Sequence, residues 1–514
     1  MEIKSICIVG GGTAGWMTAA ALSFKLQNSP AKIYLVESEQ IGTVGVGEAT
    51  LPHIRYFNNA LGIDEAAFMK ATNATFKLGI EFCDWGRIGD SYIHPFGDFG
   101  QPLNNVEFYQ YWNKLRLNGE TTRLDEYSYP VMLAEKNKFH IPDTDIRKIE
   151  STFGYAYQFD SSKYAKFLRK FAEAKGVTRI EGRITHSEKN NPTGHISSVT
   201  LESGQSIEAE LFIDCSGFRG LLIEQAYETG YDDWSQWLPC NRAIAVASET
   251  TEPLPPYTRA TARKAGWQWR IPLQHRTGNG IVYCSDYMSN DEAAQQLLTT
   301  LDGKALASPN QLYFKTGRRK KFWHKNIVAI GLSAGFLEPL ESTSIHLIQE
   351  GITALLEVFP NQNFEESDAA EYNQRMGLQY ERVRDFLLLH YVATTRDDSE
   401  FWNYFRNMIL PDSLKAKIDN WLMRGHISRY DFGAFLPPSW VAVFIGQNLL
   451  PNHSDTRVDK MTLKDIQQRA GMMKKSIQNS VRQSPDHADF IRSQGAAIEP
   501  SVNGQPDMEL KSFT

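Results

Sequence analysis

The chain has 514 residues, 42% of them apolar and 22% charged, with a formal net charge of −6. That length exceeds one simple core and suits one large composite domain or two intimate ones, while the mixed, slightly acidic charge offers no broad basic face to nucleic acid. Five cysteines, Cys7, Cys83, Cys215, Cys240 and Cys284, lie far apart with no CxxC pair, which argues against a disulfide framework or a structural zinc site and fits a reducing cytoplasm.

The first residues, MEIKSICIVGGG, form a short apolar strand running straight into glycines rather than a signal peptide. No apolar run reaches the roughly 18 to 20 residues that a bilayer span requires, so a cytoplasmic protein without a membrane anchor is expected. Residues 3–9 read as a buried strand, GGGTAGWMTAAALSFKL as a turn feeding a helix, and AKIYLVES as a second strand, together a βαβ unit. Within Gly10-Gly11-Gly12-Thr13-Ala14-Gly15, Gly10 permits the tight turn, Gly12 lets backbone N–H groups approach a pyrophosphate, and Gly15 allows the helix to pack closely on the strand. The helix amino terminus then faces the phosphates with unpaired donors and a favourable dipole. Glu37 ends the next strand, 27 residues after Gly10, where an acid can accept hydrogen bonds from a ribose.

From Gly42 to about Pro142 the chain is richer in turns and aromatics, and the length of this stretch implies an insertion that builds a pocket. Within it FKLGIEF alternates, so Phe76, Leu78, Ile80 and Phe82 are expected to face a core while Lys77, Gly79 and Glu81 face the other way. A helix is expected around Tyr155 to Gly176, then a hairpin layer from VTRIEGRITHSE and SSVTLESGQSIEAELFIDCSG that leads back into the nucleotide domain. TEPLPPYT at 251–258 reads as a loop. In GWQWRIP, at 266–272, Trp267 and Trp269 alternate, so both indoles are expected on one face of a strand. NIVAIG at 326–331 reads as another buried strand, and the segment after it has apolar residues at 345, 348, 352, 355, 356 and 359, a helical period. Residues 361 to about 451 are mostly helical in pattern, and the last 60 or so, polar with weak periodicity, are expected to be a solvated extension.

LFIDCSGFRG, with Asp214, and NIVAIGLSAGFLEP, with Gly331 and Gly335, resemble the later elements by which flavoprotein monooxygenases close around FAD; Leu332 stands where the hydroxylases of that class carry an aspartate. GWQWRIP matches the WxWxIP motif of the flavin-dependent tryptophan halogenases. GVGEATLP at 45–52, NATFKLGIEF at 73–82 and FLEPLESTS at 336–344 resemble further signatures of that family, and the similarity runs from about residue 5 to 360.

The resemblance implies an α/β fold: a Rossmann-like FAD domain of the flavoprotein monooxygenase type over 1–360, with substrate-pocket insertions at about 50–150 and 225–320, and a mostly helical substrate-covering region over 361–514. It implies that FAD, supplied reduced, is held by the glycine loop (Gly10, Gly12, Thr13, Ala14, Gly15), Glu37, Ala49, Ile184, Leu332 and Ile345. It further implies that chloride or bromide is oxidised at the flavin to hypohalous acid, that Lys77 receives it and directs it onto an aromatic ring, and that Glu341 polarises the electrophile or removes the ring proton. Thr343 and Ser344 occupy the halide positions, with Ser344 in place of the family's glycine. Ser342, His94, Phe96 and Trp440 are implied at the substrate, and Trp267 and Trp269 as a wall between flavin and substrate. DFGAFLPPSWVAVFIGQNLLP at 431–451 lacks the tyrosine pair with which relatives grip free tryptophan, so an indole or other electron-rich aromatic is expected. A single glycine fingerprint implies a separate NAD(P)H-dependent flavin reductase as partner, with homodimer formation left open. The alternatives are an FAD-dependent aromatic hydroxylase and a flavin-binding protein without catalysis.

Overall fold

The computed structural model describes residues 2–40 and 47–498. Gly42, from which the insertion was counted, and Gly45 and Val46, which open the GVGEATLP signature, lie outside the described residues, as does the chain beyond residue 498.

A six-stranded sheet draws its strands from between residues 5 and 329. Its strand order is Trp323–His324, Ile327–Ala329, Leu211–Asp214, Ser5–Val9, Lys32–Glu37 and Thr178–Glu181, all parallel except the first pairing. Ser5–Val9 lies at its centre and is almost wholly buried, which is why it reads as a continuous apolar run rather than an alternating one. At its end Gly10 takes φ 108°, and a Cβ there would stand 2.3 Å from the Cys215 carbonyl oxygen. A Cβ on Gly15 would stand 1.8 Å from the Gly10 carbonyl oxygen. Only glycines let the helix Thr13–Lys25 begin this close to the strand that feeds it.

Thr178–Glu181 is the edge strand of that sheet, and Ile184–Lys189, Ile196–Leu201 and Ser206–Glu208 form the antiparallel layer that returns the chain to Leu211–Asp214. The helix expected from Tyr155 begins later. Ala156–Asp160 is a fully buried strand, and the helix runs over Ser161–Glu173. Asp160 marks the change, because its carboxylate accepts from the backbone N–H groups of Ser162 and Lys163 and so caps the helix.

FKLGIEF is not the one alternating strand expected. Thr75–Lys77 pairs with Ala156–Asp160 in a three-stranded sheet, whereas Gly79–Cys83 belongs to a seven-stranded sheet, and the chain passes from one to the other at Leu78. Lys77 is accordingly on no open face: it is 0% exposed. The seven-stranded sheet runs Asn310–Tyr313, Arg242–Ser248, Thr277–Tyr283, Gly266–Pro272, Tyr257–Arg263, Gly79–Cys83 and Ser91–Pro95. Trp267 and Trp269 share one face of it as expected, their ring centroids 6.0 Å apart. Gly280 makes room for Trp269, since a Cβ there would stand 2.0 Å from the indole.

Helices Glu366–Val392, Glu400–Arg406, Asp412–Arg424 and Pro437–Gly446 cover the sheets. The expected solvated tail is instead structured as far as residue 498. Leu463–Gln483 and His487–Ser493 are helices, the first burying Ile466, Ala470, Ile477 and Val481 at helical spacing. No helix of the described residues is long and apolar enough to cross a membrane.

Candidate active site

Lys77 ends its short strand with the ammonium pointing inward. Nζ donates to the Thr50 carbonyl at 3.1 Å and to Ser342 Oγ at 2.8 Å, and it lies 5.1 Å from the centre of the Phe96 ring. Burial brings its pKa down from 10.5 to about 7, with the negative charge of Glu341 working in the opposite direction. An amine balanced at that value samples both a protonated donor and a free nucleophile near neutral pH.

Ser342 reaches Lys77 from 265 positions away in the chain, with Glu341 as its neighbour. The segment Pro339–Glu341 is a single tight turn, and Ser342 follows it in the left-handed region at φ 58°. Such a backbone is costly for a residue with a Cβ and is characteristic of functional sites. Glu341 is fully buried between two imidazoles: His94 Nδ1 lies 3.0 and 2.9 Å from its two oxygens, and His390 Nε2 lies 2.8 Å from Oε1. Burial alone would raise its carboxyl pKa, but His94 and then His390 overturn that and hold it at about 2. His390 Nδ1 donates to the Phe386 carbonyl at 2.8 Å. With that nitrogen committed as a donor, the contact with Glu341 is attractive only when one proton lies between the imidazole and the carboxylate.

Thr343 precedes the helix Ser344–Glu357, and its buried Oγ1 has no protein partner. Ser344, in place of the family's glycine, is the first helical residue. The left-handed position of this turn falls at Ser342, so the serine at 344 meets no backbone demand for glycine. The first-turn amides of this helix are the unpaired donors an anion requires.

At the nucleotide sheet, Gly12 precedes a helix whose amino terminus has no side-chain cap, and a Cβ on Gly12 would meet nothing within 4 Å. Open space above uncapped amides fits a pyrophosphate. Thr13 and Ala14 begin that helix, and Gly331 closes on it, since a Cβ there would stand 2.7 Å from Ala14 Cβ. Glu37 takes Arg179 Nε at 2.5 Å on one oxygen and Trp16 Nε1 at 3.3 Å on the other. A carboxylate accepts about four hydrogen bonds, so ribose hydroxyls still have sites there. Asp214 is spent internally, on Ser216 and on the amides of Leu222 and Ile223. Ala49 ends the strand Gly47–Ala49, next to the Thr50 that accepts from Lys77, and Ile345 lies buried in the first turn of Ser344–Glu357. Leu332 lies in the turn Gly331–Ser333, and Ile184 stands apart in the antiparallel layer, opposite Leu201.

The family model described as tryptophan halogenase matches residues 5–463. The chain belongs to the tryptophan halogenase family. The match extends about a hundred residues past the 360 reached by sequence motifs. A tryptophan 6-halogenase from Streptomyces toxytricini is 36% identical over 470 residues, which cover 86% of this chain and 88% of that protein. Among solved structures, a flavin-dependent halogenase from Brevundimonas sp. BAL3 superposes with a TM-score of 0.93 at 44% identity, covering 96% of this chain and 99% of that one. A flavin-dependent halogenase from Xanthomonas campestris also gives a TM-score of 0.93, at 42% identity, with 97% and 99% covered. The fold is thus the flavin-binding Rossmann type, and the protein is a flavin-dependent halogenase.

In this halogenase the aromatic side chains around Glu341 form one continuous cluster. The His94 ring lies 6.3 Å from Phe96, 5.6 Å from Phe386 and 6.2 Å from Phe435, while its Nε2 is buried without a protein partner. Trp440 is 1% exposed and joins the cluster through Phe386, 4.9 Å away, one ring removed from His94. Sequence motifs did not single out His390, Phe386 or Phe435. The first two sit in the run DFLLLHY of a long helix, where a histidine amid leucines reads as core, and only the long-range packing brings it to Glu341.

Proposed function

We propose that this halogenase uses reduced FAD, dioxygen and chloride or bromide to halogenate an indole or another electron-rich aromatic, with Lys77 delivering the electrophile and Glu341 receiving the ring proton. The observation that carries this reading is a fully buried lysine at a strand end that donates to Ser342, the residue next to the fully buried carboxylate of Glu341. FAD, when bound and reduced, supplies with dioxygen the oxidising power that turns halide into hypohalous acid. The glycine loop from Gly10 to Gly15 with Glu37 would hold its phosphates and ribose, and Ala49, Leu332 and Ile345 would contact the rest, whereas Ile184, in the antiparallel layer opposite Leu201, is not brought to them. Thr343 and Ser344 would bind the halide.

Lys77 then meets hypohalous acid as a hydrogen-bond donor when protonated, or as a free amine that takes the halogen and releases water. The ring carbon attacks the halogen, a C–X bond forms, and the bond from halogen to oxygen or nitrogen breaks. The cation left on the ring is so acidic a carbon acid that a carboxylate with a pKa of about 2 suffices to remove its proton. His94 and His390 keep Glu341 ionised and oriented for that step. His94, Phe96, Ser342 and Trp440 would define the substrate space, Trp267 and Trp269 would part it from the flavin, and holding the ring about 3 to 3.5 Å from the reacting atom sets the regiochemistry. A separate NAD(P)H-dependent flavin reductase supplies reduced FAD, with residues 1–360 forming the flavin-binding part and 361–514 covering the substrate. Mass spectrometry of indole incubated with the protein, FAD, such a reductase and bromide tests the proposal. A singly brominated product is expected; a hydroxylated product in its place would contradict the proposed route through hypohalous acid and Lys77.

A further inference from the structure

The strand carrying Lys77 is three residues long and lies at the edge of its sheet, paired only with Ala156–Asp160. In that register the Phe76 N–H points away from the partner strand, and Phe76 is 0% exposed, so this donor would be buried and unpaired without a further acceptor. His487 supplies it. Its Nε2 accepts from the Phe76 N–H at 3.1 Å, while Nδ1 donates to the Leu254 carbonyl at 3.1 Å. The two contacts fix one tautomer, because a carbonyl only accepts and an N–H only donates.

A second anchor holds the other end of the strand. Gln274 Nε2 donates to the Ala74 carbonyl at 2.7 Å and to the Ala496 carbonyl at 3.0 Å, and its oxygen accepts from the Ile498 N–H at 2.9 Å. Phe76 stacks on Phe139 at 4.1 Å, Phe490 closes over both, and the Phe139 N–H donates to the Pro485 carbonyl. Segment 484–498 therefore wraps the lysine strand from end to end, and all of it lies beyond residue 463, where the family match stops.

We propose that segment 484–498 is a strap that positions Lys77, with His487 as its positioning residue. It rests on the assignment of Lys77 as the group that delivers the electrophile, and it explains why a polar carboxy-terminal stretch is folded against the pocket. A lysine that must bridge Thr50 and Ser342 tolerates little drift of its backbone, and a misplacement of about 1 Å costs on the order of a hundredfold in a reaction that depends on orientation.

The test uses the full-length protein with FAD, a flavin reductase and bromide. His487→Phe keeps a ring but leaves the Phe76 N–H without an acceptor, His487→Gln restores an acceptor oxygen, and Gln274→Ala frees the far anchor. Two quantities are read: the share of hypobromous acid reaching indole rather than a trap in solution, and the rate at which an amine reagent labels Lys77, followed by peptide mass spectrometry. In His487→Phe the indole share should fall about tenfold or more and Lys77 labelling should rise about tenfold, with flavin affinity and total oxidant unchanged. His487→Gln should return both toward wild type, and Gln274→Ala should move both in the same direction as the phenylalanine variant. Wild-type share and labelling in His487→Phe overturn the strap. Should that variant fail to fold, Gln274→Ala decides, and wild-type values there overturn it equally. The labelling rate keeps this test separate from the functional assignment: a protein that brominates nothing yet exposes Lys77 on loss of His487 loses the proposed chemistry and keeps the strap.

Discussion

Glu341 bears on the charge of Lys77, while His94 and His390 set that of Glu341. Burial pulls the lysine down to about 7 while Glu341 holds it up, so Glu341→Gln removes the opposing charge and the lysine titrates at lower pH still. The pH profile of kcat/KM should shift to the acid side, and the rate should fall by about 10²- to 10⁴-fold with the loss of the proposed proton acceptor. A shift to the alkaline side would contradict the coupling. His487 gives a second signature at this scale. Burial lowers its pKa to about 4 from 6.5, so below pH 6.5 the unfolded chain binds the proton more readily than the folded one. Stability is thus complete above that pH and is lost as pH falls toward 4, by roughly 3 kcal/mol at most from this group. Asp486 and Lys138, 3.7 Å apart beside it, stay in place in the substitution. Urea unfolding between pH 6.5 and 4 should therefore show a shallower loss in His487→Gln than in wild type, and parallel slopes would refute it.

Among the elements, those set by local chemistry were legible. The glycine loop could be read because φ 108° at Gly10 and the 1.8 Å approach at Gly15 admit no other residue, and the helix Ser344–Glu357 because its apolar spacing is strictly helical. Gly10→Ala should accordingly lower both the melting temperature and the flavin affinity measured by fluorescence titration; unchanged flavin binding would show that the loop does not hold the cofactor. The break at Leu78 was hidden because alternation looks the same whether one strand or two carry it. Ala156–Asp160 was hidden because a five-residue strand abuts a helix with only Asp160 to mark the join. In Leu463–Gln483 the four buried positions are diluted by lysines, glutamines and arginines, so a packed helix read as a solvated one. Phe386, Phe435 and His390 left no local trace, since their meaning depends on which strand ends face them.

At the scale of the whole molecule, the site is assembled from parts with no sequence proximity: Lys77 from an edge strand, Glu341 from a turn before a helix, His390 from the covering helices and His487 from the carboxy-terminal end. The glycine loop belongs to a different sheet from the Trp267 and Trp269 face, which suits the proposed division in which oxidant is made on one side and used on the other. If the reductase only supplies reduced FAD, then FAD reduced photochemically should support product formation without it, at a yield set by the flavin turned over; dependence on the reductase under those conditions would demand a physical complex. The most direct measurement compares wild type and Lys77→Ala in bromination of indole, with free hypobromous acid trapped in the same reaction. Brominated indole that disappears in Lys77→Ala while trapped oxidant persists is the predicted result. Bromination of indole by Lys77→Ala at the wild-type rate would contradict the assignment of Lys77 as the group that delivers the halogen.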